Sequence, residues 1–86
     1  MQATRISRNG EVIEIPPLTA VIEPEGRWFV SRCPELDVAS QGRSRKEAHA
    51  MLAEAVALWL ECASANEIRR RLKIGARVQP LDLVLA

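Results

Sequence analysis

Aromatic side chains are scarce in this sequence: Trp28, Phe29 and Trp59 are the only ones in 86 residues, and tyrosine is absent. Histidine is scarcer still, with His49 alone and no serine or cysteine at a spacing that suggests a nucleophile–base pair, so it reads as a boundary residue of a helix. The two cysteines, Cys33 and Cys62, lie far apart and fit no metal-ligand spacing. They are expected to be small buried thiols in a reducing compartment, with no bound metal and no cofactor. The four glycines, Gly10, Gly26, Gly42 and Gly75, are isolated, which excludes a glycine-rich phosphate loop. Charge of one sign is also missing: 12 basic and 11 acidic residues leave a formal net charge of +1 and no global pull toward nucleic acid. No apolar run approaches the roughly 20 residues of a membrane span, and the first residues lack the apolar centre of a signal peptide, so a cytoplasmic location without membrane contact is expected.

What the chain does have is a hydrophobic content of 48% in a length that suits one small domain. A domain this short buries only about 60–65% of its unfolded surface, so a marginal core and pairing with another chain are natural expectations. Residues 1–17 read either as an extra edge strand, with Val12, Ile13 and Ile15 to bury after an Asn9-Gly10 turn, or as a loose arm. Residues 18–86 carry the domain. Leu18–Glu23 alternates as a strand, Pro24-Glu25-Gly26 turns, and Arg27–Cys33 returns antiparallel, with Phe29, Ser31 and Cys33 on one face and Trp28, Val30 and Arg32 on the other. After a Pro34-Glu35-Leu36 corner, Asp37–Gln41 predicts a short third strand.

Ser44 with Glu47 forms a capping-box signature for a long helix, whose Ala48, Met51, Leu52, Ala55, Val56, Trp59 and Cys62 recur at helical spacing as the stripe toward the sheet. A second such signal, Ser64 with Glu67, predicts a short helix to about Lys73, closed by Gly75. Val78–Leu85 reads as a last strand, with Pro80 hinting at an edge. The fold class is therefore α+β: a three-stranded antiparallel meander with one long helix on one face and a C-terminal strand returning beside the first, in the order β-β-β-α-β.

Chemistry is thinly signalled. Glu23, Glu54 and Asp82 are the acids on suitable elements for metal-assisted phosphodiester cleavage, but their positions do not predict convergence, so the chain is not expected to be an enzyme. The basic run Arg69, Arg70, Arg71 and Lys73 carries no interleaved aromatics and reads as a solvated helix end, with direct RNA binding as the alternative. Too few residues follow Ala63 for a complete DNA-binding helix-turn-helix.

Arg32-Cys33-Pro34-Glu35-Leu36, then Ser40-Gln41-Gly42, then Glu47-Ala48, Glu54-Ala55 and Leu58-Trp59-Leu60-Glu61 make the stretch Leu18–Glu61 resemble the HicB family of type II antitoxins. That resemblance implies a truncated RNase H-like fold without catalytic carboxylates, and a HicA-like, mRNA-cleaving toxin as partner, inhibited by covering its RNA-facing surface. It also implies a homo-oligomer, dimer or tetramer. The sequence lacks the Pro-Gly that usually follows the corner, which leaves the register of the third strand open. The partner-binding surface is expected on the sheet face away from the helix: Val21, Trp28 and Val30 as apolar contacts, with Glu23, Glu25, Glu35 and Asp37 as the acidic residues toward a basic ribonuclease. Two alternatives stand beside this reading: a stand-alone HicB-like domain that self-associates, and a residual metal-dependent nuclease on Glu23, Glu54 and Asp82.

Overall fold

The computed structural model describes residues 4–85. Seven elements follow in order: β1 (Thr4–Arg8), β2 (Glu11–Ile15), β3 (Val21–Glu25), β4 (Trp28–Cys33), β5 (Val38–Gly42), α1 (Arg45–Cys62) and α2 (Ala65–Ile74). The class is α+β, with a two-stranded sheet β1-β2 and a three-stranded antiparallel sheet β3-β4-β5.

The N-terminal segment is neither a loose arm nor an edge of the main sheet. It is a hairpin of its own, closed by Asn9 and Gly10 at φ 52° and 80°, the left-handed pair that a two-residue turn with the twist of β-strands needs. Ile13 and Ile15 bury against Ala63, Ala65 and Ile68, so this hairpin and the start of α2 share a core.

The main sheet follows the expected meander with β3 shifted along the chain. Val21 pairs with Arg32 and Glu25 with Trp28, so the turn is Gly26-Arg27 and Pro24 lies inside the strand. Proline is tolerated there because β3 has a neighbour on one side only. β5 pairs from Cys33↔Val38 to Phe29↔Gly42. Asp37 takes φ 55° to turn the chain into it.

Helix α1 lies on the inner face of this sheet. Ser44 Oγ accepts from the Glu47 amide at 3.0 Å, as a capping box requires, while Glu47 Oε1 accepts from the Arg43 amide, one residue earlier than the usual reciprocal bond. Ser31 Oγ donates to the Ala48 carbonyl at 2.8 Å, tying β4 to the first turns of the helix. A side chain at Gly42 would put its Cβ 2.5 Å from the Ala48 nitrogen, so glycine sets how closely β5 and α1 approach. Gly75 also serves space: its φ is −67°, and a Cβ there would lie 2.1 Å from the Glu35 carbonyl oxygen.

Three sequence expectations fail here. Met51 and Cys62 belong to the predicted helix stripe yet are exposed, because α1 crosses a narrow sheet and only Ala48 and Leu52 bury fully. Cys33 is buried and Cys62 is not. Val78–Leu85 forms no strand and pairs with nothing among the described residues. Its partner edge is remote in sequence, and Pro80 removes one donor, so alternation alone does not build a ladder. Leu18, Trp59, Leu60 and Leu72 bridge the two small buried clusters, Ile13–Ile15–Ile68 and Cys33–Leu36–Leu52.

Candidate protein-binding site

The register of β3, β4 and β5 decides which side chains share a face. Ser31 points at α1, so its neighbours Phe29 and Cys33 lie inside with it, and Trp28, Val30 and Arg32 project from the other side. Across the ladder, Val21 lies opposite Arg32, Glu23 opposite Val30 and Glu25 opposite Trp28. The sequence-predicted residues Val21, Glu23, Glu25, Trp28 and Val30 thus meet on one outer sheet face, which no other element among the described residues covers. Trp28 is 41% exposed, and the Arg43 guanidinium lies 5.5 Å from its ring centroid. The face is mixed: Trp28, Val30 and Arg32 run down its central strand, with Val21, Glu23 and Glu25 on the β3 side, Ala39 and Gln41 on the β5 side, and Arg43 beside Trp28.

Glu35 does not join that face. Glu35 is half-buried, and its carboxylate accepts from the Thr19 amide at 3.0 Å, the Thr19 hydroxyl at 2.6 Å and the Cys33 thiol at 3.4 Å. Burial pushes its pKa up, but the hydrogen bonds from Thr19 outweigh this and hold the carboxyl below its usual range. Burial is also the main reason the Cys33 thiol is raised, with neighbouring Glu35 adding to it. Glu35 is therefore a brace between the corner and the segment leading into β3, a role its Pro-Glu-Leu context did not reveal. Asp37 is exposed at the same corner, where its carbonyl accepts from Arg71 at 3.4 Å.

The other candidates separate. Glu23 sits on the outer sheet face, Glu54 on the exposed side of α1 and Asp82 in the C-terminal segment. Among the described residues no group of three His, Cys, Asp or Glu side chains is placed to hold a metal ion. The basic run is divided as well: Arg69 pairs with Glu11, and Arg71 stacks on Trp59 and donates to the Leu36 carbonyl, leaving Arg70 and Lys73 exposed.

A second surface lies where α1 carries its small residues. Between the free side of β3 and α1 runs an open, mostly apolar groove of about 650 Å³, lined by Leu18, Ala20, Ile22, Val56, Ala57 and Leu60, with exposed His49 and Ala53 along it. The sequence signals it: Ala53, Ala57 and Leu60 interrupt the polar side of α1, and small residues on a helix flank permit close approach of another element, the tail or another subunit. No helix of the described residues is long and apolar enough to cross a membrane. Comparison with known proteins finds no protein family, no curated protein and no solved structure that matches this chain.

Proposed function

We propose that this chain is an antitoxin-type binding module of the HicB kind, which neutralises a small mRNA-cleaving toxin by covering its RNA-facing surface. The observation that carries the reading is the uncovered outer face of the β3-β4-β5 sheet, where Trp28 stands exposed among Val21, Val30, Glu23 and Glu25. An antiparallel sheet can leave one face to water, but such a face is then normally polar. Here it carries an exposed tryptophan beside Val21 and Val30, and large aromatics concentrate binding energy at interfaces. Glu23 and Glu25 supply the negative border that suits a basic ribonuclease, and Arg32 and Arg43 fix orientation by seeking acids on it. Inhibition is occlusion: the toxin keeps its catalytic residues and loses access to RNA. The Cys-Pro-Glu-Leu corner and the capped helix support the same reading as a resemblance.

The test is RNA cleavage by a HicA-like ribonuclease, titrated with this protein. Equimolar inhibition is expected, and Trp28→Ala, at a site the fold leaves exposed, should weaken it by roughly 30-fold or more. Circular dichroism of the variant separates lost contact from lost fold. Full inhibition by a folded Trp28→Ala variant rejects the anchor, and no inhibition by the unaltered protein rejects the antitoxin reading for that toxin.

A further inference from the structure

A second surface, independent of the outer sheet face and of the toxin reading, carries its own partner within the same sequence. The groove beside β3 is bounded by a strand edge that pairs with nothing among the described residues. The Thr19 amide is already taken by Glu35 and Pro24 has none, so the free edge runs from Ala20 to Glu23. Ala20 and Ile22 face the groove from this edge. The C-terminal segment has the complementary character. Leu81, Leu83, Val84 and Leu85 are 84%, 73%, 95% and 87% exposed and belong to no helix or strand.

Extended at about 3.3 Å per residue, the five residues Leu81–Leu85 are long enough to span this four-residue edge, and extension puts Leu81, Leu83 and Leu85 on one side. That side continues the row of Ala20 and Ile22 over Ala57 and Leu60 of α1. The root of the segment is fixed: the Ala76 amide donates to the Pro34 carbonyl at 3.0 Å, and Arg77 to Pro80 run past Pro16, Pro17 and Thr19. Beyond Pro80 the chain leaves its own surface with the groove still empty.

We propose that the segment Leu81–Leu85 of one molecule adds as a strand to the free edge of β3 in a second copy of this chain, filling that copy's groove, and that the exchange is reciprocal in a dimer. One groove and one segment per chain set a one-to-one ratio, which reciprocal exchange between two copies closes as a dimer. The area agrees. The chain exposes 6774 Å², whereas a folded monomer of this mass exposes about 5,100 Å², and a stable interface removes about 800 Å² from each partner.

Size-exclusion chromatography with light scattering at about 100 μM protein is expected to give a dimer. Leu83→Asp, in the segment, and Ala57→Glu, exposed on the groove wall, should each raise the dimer dissociation constant by roughly 100-fold, because two copies of the contact are lost per dimer. A monomeric wild-type protein, or a dimer indifferent to both substitutions, overturns the proposal. Cross-linking decides which chain supplies the strand. In a Cys62→Ser background, an Ala20→Cys protein mixed with a Leu83→Cys protein should oxidise to a covalent heterodimer. If the double variant carrying both cysteines in one chain instead closes only an intramolecular disulfide, the segment serves its own groove and the exchange is refuted.

Discussion

The two ends of the chain both carry strand-like apolar patterns and fold differently. Residues 4–15 form a hairpin whose Ile13 and Ile15 are almost wholly buried, while residues 76–85 carry four side chains of Leu and Val at 73% exposure or more and no regular structure. The difference lies in where each strand's partner is. β1 finds β2 two residues away through a turn that Asn9 and Gly10 shape in advance, so its pairing costs little loop entropy. The C-terminal segment has no local partner, and its complement is the edge of β3, more than half the chain away. Apolar alternation is thus sufficient for a strand only where the hydrogen-bonding partner comes with it.

The largest effect is expected at the hairpin end. Ile15→Ala removes a side chain that is 1% exposed and packs with Ile68, and it should cost about 2–5 kcal/mol, a large share of the stability of a domain this small. Urea unfolding reads this directly. A loss below about 1 kcal/mol would mean that the hairpin unfolds separately from α2 and that the two ends are more alike than their burial indicates.

An intermediate effect belongs to the brace at the root of the C-terminal segment. Glu35→Gln keeps the shape and loses the charge in the bonds from Thr19, for about 1–2 kcal/mol at pH 7. The sign with pH follows from the direction of the shift. The folded-state carboxyl is held below its usual value, so its contribution is complete above the ordinary carboxylate range and fades as pH falls through the depressed folded value. Wild type and Glu35→Gln should therefore converge once pH falls below that depressed value, and a gap that stays constant as the pH is lowered through the whole carboxylate range refutes the carboxylate's role. The raised Cys33 thiol works at the other end of the scale, where stability is lost as pH rises through the ordinary thiol range toward the higher folded value.

The smallest effect is expected where the contrast is sharpest. In protein dilute enough to be monomeric, Leu83→Asp should change unfolding free energy by less than about 0.5 kcal/mol, because Leu83 touches no core of its own chain. A loss of 2 kcal/mol under those conditions would show that the segment packs within the monomer and would erase the distinction between the two ends.

Local chemistry decided much of this fold. Ser44 with Glu47 and Ser64 with Glu67 mark both helix starts, because a capping side chain satisfies amides within its own turn. Alternation from Trp28 to Cys33 determined which side chains oppose the helix, and hence the outer face of Trp28, Val30 and Val21. Tertiary structure alone decided the rest. It drew Glu35 inward onto Thr19, left Met51 and Cys62 outside a helix stripe wider than the sheet beneath it, and gave the N-terminal hairpin its own core on α2. It also left the C-terminal segment without the edge that its pattern suits. These outcomes depend on which surfaces meet across long separations in the chain, and hydrophobic periodicity states that a face will be buried without naming what buries it.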